Sequence, residues 1–249
     1  MNSMWISGGG MAAEEKRLDI IANNMANMNT TGFKFTDAYT QELNQPSVAG
    51  SVAGTTPSGT IVSGMERNYT QGGLTTTGNQ LDMALDGDGF FQVVMQDDSI
   101  GYTRGGDFGV DANGSICTKS GAKVFPEMSI PDGATNVAIS PTGVVVATLQ
   151  SGTFQTLGQI ELARFANPKG LESAGNGVFK ASAASGDPMV NAAGTDGSAK
   201  IQQGFLENSN VDLANEMIKM MMSQKSYELN AKVMQTADQM MSIANGIKR

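Results

Sequence analysis

Carboxylates are the residues best able to do chemistry in this chain, because it contains no histidine. The absence of histidine removes Ser-His-Asp and Cys-His nucleophiles and any histidine zinc ligand. Three acids lie close together at Asp82, Asp86 and Asp88, and paired carboxylates can hydrolyse glycosidic bonds or bind calcium. Gly87 and Gly89 alternate with these acids, and the spacing does not match a calcium-binding loop. We therefore predict a turn between strands.

The other short motifs also have structural explanations. The run Asp111-Ala112-Asn113-Gly114 resembles part of a calcium loop, but Asn-Gly is foremost a hairpin turn. Gly87-Asp88-Gly89 lacks the third glycine of a dinucleotide fingerprint and does not open a helix. Cys117 is the only cysteine and cannot form an internal disulfide. We predict no catalytic residue, no metal site and no cofactor.

Composition narrows the class of protein further. The chain has 249 residues and a net charge of -8, so nucleic acid is not an expected partner. An apolar fraction of 40% can build a core, in one large domain or two modest ones. No run approaches the roughly 18 apolar residues of a membrane span, and residues 1–10 lack the form of a cleavable signal peptide. We expect a cytosolic protein or one exported without cleavage.

The N-terminal segment predicts a helix from Met11 to about Met28. Three glycines at 8–10 each weaken an N-terminal extension by about 1 kcal/mol relative to alanine, and Gly32 ends the pattern. Heptad spacing indicates one packing seam, and it is carried by Met4, Met11, Leu18, Met25, Ile21 and Met28.

The C-terminal segment predicts a longer helix over residues 208–249. It begins near Ser209, which with Asp212 fits a capping box. Two apolar stripes follow, more than one partner helix can cover, and we expect other subunits to cover the excess. A helix buried in its own domain is the alternative. The first stripe is Leu213, Met217, Met220, Tyr227, Ala231, Met234 and Met241, and the second is Ala214, Ile218, Met221, Val233, Met240, Ile243 and Ile247.

The residues between the helices are rich in glycine and predict β structure from about 66 to 205. Small uncharged residues and prolines over 44–64 predict a loop or a flexible arm. The predicted fold class is α+β, with terminal helices paired as a coiled coil and a mainly antiparallel β domain. The expected domains are a helical one (1–35 and 208–249), a connecting arm (36–75) and a β-rich outer domain (76–207).

Four motifs, in order along the chain, resemble those of bacterial flagellar rod and hook proteins. The first runs from Ile21 to Asn27 and continues from Thr30 to Lys34. The second runs from Leu81 to Phe91, the third begins at Tyr102-Thr103-Arg104, and the fourth includes Gln203-Gly204, Leu206-Glu207 and Glu216-Met217. The family motif residues are Asn23, Asn24, Ala26, Asn27, Thr31, Gly32, Phe33, Lys34, Gly87, Gly89, Phe90, Phe91, Ser209, Asn210 and Val211.

The resemblance implies a structural subunit of the flagellar rod. The length excludes a hook protein, and the best match is a distal rod subunit, with a proximal one as the alternative. The family forms a hollow helical shaft with the terminal helices inside and the β domain outside. Expected partners are further copies of the chain, other rod proteins, the hook protein, the P- and L-rings and the flagellar export apparatus. The expected location is the periplasmic rod, reached without a cleaved signal peptide.

Two other classes of function stay open at this point. One is a cell-wall glycosidase that uses paired carboxylates, and the other is a carbohydrate-binding β module. The second leaves the long C-terminal helix unexplained. For a rod subunit, the predicted packing residues are Met11, Leu18, Ile21, Met25, Met28, Leu213, Met217, Ile218, Met220, Met221, Tyr227, Met234 and Met241.

Overall fold

The computed structural model describes residues 2–46, 55–195 and 197–247, which contain two α-helices and eighteen strands. The chain divides into two compact units. We call the first the helical unit; it comprises Met1–Ala26, Phe35–Asn68 and Val211–Arg249. We call the second the sheet unit; it comprises Asn27–Lys34 and Tyr69–Asn210.

The first helix, α1, covers Asn2–Ala26, so the prediction of a start at Met11 is wrong. The glycines at 8–10 lie inside the helix, because the second helix packs closely there. A methyl group added at Gly10 would lie 2.9 Å from Nδ2 of Asn230, and one at Gly8 would lie 3.7 Å from Cε of Met234. Tertiary packing therefore outweighs the low helix propensity of glycine.

The second helix, α2, covers Leu213–Ile247, and Asp212 caps its N-terminus. Oδ1 of Asp212 accepts hydrogen bonds from the backbone N–H groups of Ala214 at 2.9 Å and Asn215 at 3.4 Å. The prediction that Ser209 is the cap is wrong, because the helix begins one residue after Asp212. A carboxylate satisfies the free N–H groups there and also opposes the positive end of the helix dipole.

Residues 36–67 form a hairpin of two antiparallel strands in the helical unit, β1 (Thr36–Pro46) and β2 (Thr55–Arg67). Their register runs from Thr36 opposite Arg67 to Pro46 opposite Thr55. The predicted loop is therefore wrong at 44–46 and 55–64, whereas residues 47–54 lie outside the described part. Composition was misleading because the β-branched residues Thr60, Ile61 and Val62 favour a strand despite the surrounding Gly, Ser and Pro.

The sheet unit contains strands β3 to β18, and every strand pair in its described residues is antiparallel. The strands are β3 (Leu74–Thr76), β4 (Met83–Asp86), β5 (Phe90–Val94), β6 (Ile100–Thr103), β7 (Phe108–Val110), β8 (Ile116–Thr118), β9 (Lys123–Val124), β10 (Ala134–Ile139), β11 (Val144–Leu149), β12 (Phe154–Gln159), β13 (Glu161–Arg164), β14 (Glu172–Gly175), β15 (Val178–Lys180), β16 (Met189–Ala192), β17 (Lys200–Gln203) and β18 (Phe205–Glu207).

Nine of these strands form the largest sheet, in the order β14-β15-β6-β5-β9-β8-β7, with β13 joining β5 to β16. A three-stranded sheet has the order β10-β11-β12, and two further pairs are β17-β4 and β18-β3. The last two pairs matter most for the site below. They bring the end of the sheet unit's sequence, near Glu207, beside its beginning.

Two apolar clusters form the core of the sheet unit. The larger contains Met83, Leu85, Phe91 and Ile116, and the smaller is centred on Phe90. Two terminal helices and a mainly antiparallel β region between them are thus confirmed. In the part of the chain that the structure describes, neither helix combines the length and apolar content that crossing a membrane requires.

Candidate assembly surface

The two helices pack against each other in opposite chain directions. Asn24, near the end of α1, donates a hydrogen bond to Oε2 of Glu216, near the start of α2, at 3.1 Å. Asn24 also donates to the carbonyl oxygen of Thr36 at 2.8 Å and accepts from the N–H of Thr36 at 3.0 Å. The buried amide of Asn24 therefore joins α1, β1 and α2, which gives this family motif residue a structural role.

The seam of α2 against α1 is mostly small, polar or methionine side chains. It follows alternating spacings of four and three residues, which keep one side of a helix in contact with a partner. Three positions in this spacing are buried, Glu216, Ser223 and Ala237. Four more are half-buried, namely Met220, Asn230, Met234 and Met241.

Apart from Met220, Met234 and Met241, the large apolar side chains that the structure describes on α2 are exposed to solvent. Met222, Met240 and Ile243 are 63–66% exposed. A soluble monomer rarely presents so many apolar side chains along one element, and such surfaces are usually interaction sites. We call them the assembly surface; its members are Leu213, Met217, Ile218, Met221, Met222, Tyr227, Leu229, Val233, Met240 and Ile243.

The predicted packing residues of the N-terminal segment are less exposed. Ile21 is buried, and Met11, Leu18 and Met25 are half-buried in the helical unit. Met28 lies after the end of α1 and is 36% exposed in the sheet unit. The structure thus divides the predicted set between covered and exposed positions. Contacts of these residues with another copy stay a prediction.

Sequence reasoning missed exposed apolar residues in two places. Trp5 on α1 is 81% exposed, and it lies before Met11, where the sequence predicts that the first helix starts. The hairpin carries Tyr39, Leu43, Ile61 and Met65, all exposed. Strand alternation in this segment was the available signal, and the small residues around it concealed the pattern.

The family motifs of the sheet unit meet at a buried group of charges, which we call the Glu207 cluster (Lys34, Arg104 and Glu207). Oε1 of Glu207 accepts hydrogen bonds from Nζ of Lys34 and from the N–H of Gly72. Oε2 accepts from Arg104 at 3.2 Å. The side chains of Lys34 and Glu207 are 0% exposed. One carboxylate thus neutralises part of the charge of two buried cations.

Other motif residues complete the surroundings of the cluster. Nζ of Lys34 donates to the carbonyl oxygen of Thr70 at 2.7 Å, and Arg104 donates to that of Gly87 at 2.8 Å. The guanidinium of Arg104 lies 5.6 Å from the centre of the Phe90 ring. Burial lowers the pKa of Lys34 and of Arg104, while the Glu207 carboxylate opposes that shift. A buried cation needs such a partner to stay charged.

Gly32 is fixed by the same region. Its N–H donates to the carbonyl oxygen of Glu207 at 2.8 Å, and its φ of +67° is the left-handed conformation that side chains disfavour. A Cβ atom there would lie 2.6 Å from the backbone nitrogen of Gly105. The motif glycine is therefore required both by its conformation and by close packing.

We expect Gly32→Ala to destabilise the sheet unit by about 3 kcal/mol or more, since conformational strain of about 1–3 kcal/mol adds to a backbone clash. Urea unfolding of the purified monomer measures this. Gly133→Ala is the matched control, because Gly133 has a φ of +88° but nothing within 4 Å of its Cβ position. Equal losses for the two variants would contradict the assigned clash.

Two of the three acids with possible chemistry, Asp82 and Asp86, accept hydrogen bonds within the sheet unit. Asp82 accepts hydrogen bonds from the hydroxyl of Thr77 at 2.6 Å and the amide of Asn79 at 3.0 Å. Asp86 accepts from Gln202 across the β4–β17 pair at 3.1 Å. The described residues include no group of three or more His, Cys, Asp or Glu arranged to hold a metal ion. The predicted turn after β4 is present, with Gly87 at a φ of +116°.

The remaining motif residues have places in both units. Phe91 is fully buried, and Gly89 is also buried, with a φ of +156°. Asn210 donates a side-chain hydrogen bond to the carbonyl oxygen of Thr70 at 3.1 Å, and its N–H donates to that of Phe33 at 3.4 Å. The others are partly or fully exposed: Asn23, Ala26, Asn27, Thr31, Ser209 and Val211.

Two terminal helices with an exposed apolar surface, together with a β region that has its own apolar core, define a structural assembly protein. Family models match three parts of the chain. The flagella basal body rod protein model matches residues 4–34, the flagellar hook protein FlgE/F/G D1 domain model matches 84–147, and the flagellar basal body rod FlgEFG protein C-terminal model matches 202–247. The chain belongs to the flagellar basal-body rod protein family.

Full-length relatives agree with these matches. A flagellar basal-body rod protein FlgG of Buchnera aphidicola subsp. Acyrthosiphon pisum (strain APS) is 39% identical over 251 residues, 96% of each chain. The FlgG of Agrobacterium fabrum (strain C58) is 37% identical and covers 98% of each chain. That of Borreliella burgdorferi is 36% identical, covering 100% of this chain and 99% of its own. These similarities identify a structural subunit of the distal rod, and the proximal alternative is not favoured.

Proposed function

We propose that this chain polymerises through its terminal helices into a hollow helical shaft that transmits torque to the hook. The observation that carries the proposal is the assembly surface on α2. Apolar residues such as Met217 (45% exposed) and Ile218 (51% exposed) are uncovered in the single chain. Burial of apolar side chains is the main favourable contribution to protein association.

The helices would form the inner tube of this shaft, paired as an antiparallel coiled coil. Support comes from the alternating four- and three-residue spacing of the seam and from the contact of Asn24 with Glu216. The sheet unit would form the outer domain. Each contact would join two different surfaces of neighbouring copies. Every added copy therefore still presents a free surface to the next one, and the assembly grows as an open helix.

The partners we propose are further copies of this chain, adjacent rod proteins, the hook protein and the P- and L-rings. The subunit would reach the periplasmic rod through the flagellar export apparatus. Methionine-rich helices suit an assembly in which copies have unequal neighbours, because methionine adapts to irregular gaps. Several members of the assembly surface are methionines.

Removal of residues 209–249 tests this function. We expect the intact chain to form filaments that pellet on centrifugation and are visible by electron microscopy. The shortened chain should stay in the supernatant because it lacks the assembly surface. A calorimetric transition of the sheet unit in the shortened chain would show that this part still folds. Filaments formed without α2 would refute the proposal.

A turbidity assay on purified peptidoglycan separates this function from a glycosidase. The carboxylates of Asp82 and Asp86 already accept hydrogen bonds within the sheet unit. We therefore expect the turbidity of a peptidoglycan suspension to stay at the level of the protein-free control. A steady fall in turbidity that Asp82→Asn abolishes would instead indicate an enzyme.

A further inference from the structure

A cleft in the helical unit is lined by both apolar and charged side chains. It has a volume of about 360 Å³ and is formed by α1, β1 and α2. Ile20 and Ile21 contribute apolar surface, and Met222 of the assembly surface forms part of its edge. Five charged side chains line the same cleft: Glu14, Arg17, Asp37, Glu216 and Lys219.

The carboxylate of Glu14 has unused capacity to accept hydrogen bonds. Its Oε2 atom is buried and has no hydrogen-bond partner among the described residues. Its Oε1 atom lies 3.5 Å from the guanidinium of Arg17, the upper limit for a hydrogen bond. Leaving a buried polar atom unsatisfied costs about 1–3 kcal/mol. A donor that enters the cleft and reaches this carboxylate would remove that cost.

The charges of the cleft favour a cationic donor. Three carboxylates face two cations, so one negative charge remains. The ammonium of Lys219 is already held by Glu216 at 2.9 Å and by Asp37 at 3.5 Å. Of the three acids, Glu14 is the one with a buried oxygen that accepts no hydrogen bond from a described residue. An additional ammonium or guanidinium group would neutralise the cleft.

The apolar edge indicates where that cation comes from. Met222 is 66% exposed, and the proposed polymerisation covers it with another copy of the chain. Lys232 on α2 is exposed, makes no ion pair with another described residue, and lies beside Val233 of the assembly surface. At about 100° per residue, Lys232 lies about 180° around the helix from Ser223, which lines the cleft.

We propose that Lys232 of one copy inserts into this cleft of a neighbouring copy and pairs with Glu14. The stem of the lysine lies along Met222, and the ammonium reaches the carboxylate, as long cationic side chains commonly do. Cleft and lysine lie on different sides of α2, so one copy can use both at once and the contact repeats along a filament. This inference rests on the proposed function.

Charge reversal tests the pairing in the intact chain. We expect Glu14→Lys and Lys232→Glu each to raise the critical concentration for polymerisation about 10- to 100-fold. The double reversal should return it to within about threefold of the unaltered chain. Lys16→Glu is the matched control, because Lys16 is an exposed lysine of α1 with no ion pair to another described residue, and it should change little. The pairing would be overturned if both single variants had nearly the critical concentration of the unaltered chain. It would also be overturned if the double variant kept a raised critical concentration.

Disulfide trapping provides a second measurement that does not depend on the Glu14→Lys variant folding. Chains with Glu14→Cys and chains with Lys232→Cys, differing in tag length and both carrying Cys117→Ser, are mixed and oxidised after assembly. A disulfide-linked pair of unequal chains supports the contact. Filaments without that pair overturn this inference but leave the proposed function standing, whereas failure of the unaltered chain to polymerise overturns both.

Discussion

Met217→Asp should abolish polymerisation while the single chain folds normally. The side chain is 45% exposed in the monomer, so an aspartate there meets water and should change the free energy of unfolding by less than about 0.5 kcal/mol. In the proposed filament the same position is covered. Burying an unpaired carboxylate costs several kcal/mol, and 3 kcal/mol alone would raise the critical concentration more than about 100-fold. Ile218→Asp, at 51% exposure, should behave alike.

Sedimentation of purified protein over a range of concentrations measures this effect, and incorporation into basal bodies checks it in cells. Met189→Asp is the control, because Met189 is 47% exposed on β16 of the sheet unit and the chemical change is identical. We expect Met189→Asp to polymerise near the concentration of the unaltered chain. If Met217→Asp also forms rods at that concentration, α2 does not supply the contact between copies.

The largest effect on stability is expected from Glu207→Gln. This substitution keeps the shape of the side chain but removes the only carboxylate of the Glu207 cluster. Lys34 is then left buried without a counter-charge, and Arg104 keeps only the charge of Asp88 to oppose its burial. An amide N–H group also faces donors in place of an oxygen. Loss of one partner from a buried ion pair costs about 3–5 kcal/mol. For a unit of this size that corresponds to a fall in Tm of about 6–20 °C.

Differential scanning calorimetry of the monomer follows the change, with Glu172→Gln as the control. Glu172 lies on β14 of the same unit with an exposed side chain, so its substitution should alter stability by less than about 0.5 kcal/mol. Lys34→Met combined with Glu207→Leu should be milder than Glu207→Gln, because the two substitutions remove one cation together with the anion. A loss below about 1 kcal/mol for Glu207→Gln would contradict the assigned role of Glu207.

The two helices could be predicted from sequence because their apolar residues recur at helical spacing. Their limits could not. Glycine has a low helix propensity, so local rules predict that the helix starts after Gly10. Gly10 nevertheless lies inside α1, because Asn230 of α2 leaves little space there for a side chain. Ser209 and Asp212 are both residue types that cap helices. The cap is Asp212 because the helical backbone begins at the next residue, Leu213. Local propensity is a weak guide where packing between distant segments decides the outcome.

The apolar excess of α2 was predictable, but its division was not. The two stripes combine residues such as Met220 and Met234, which are half-buried, with residues such as Met217 and Met221, which are exposed. The seam passes through Ser223 and Ala237, small residues to which a search for large apolar side chains gives little weight. Close approach of two helices needs small side chains. Most large apolar residues of α2 therefore lie on its exposed side, away from α1.

The Glu207 cluster was beyond sequence reasoning for a different reason. Glu207 lies 103 residues after Arg104, and no spacing rule relates them. One signal was available, because Lys34 lies between aromatic residues and Glu207 follows Phe205 and Leu206. Charged residues in apolar surroundings are buried only when they are paired. That rule indicates that partners exist, but not which residues they are.

The separation of Lys34 from Glu207, 173 residues, also sets an order of events during synthesis. A ribosome adding about 5–20 residues per second needs about 9–35 seconds to travel from one codon to the other. Throughout that interval Lys34 has no carboxylate of Glu207 to pair with, and Gly32 has no carbonyl of Glu207 to bond. Arg104 waits for the same carboxylate over the last 103 residues. The nascent chain therefore stays without its completed fold until most of it has been made.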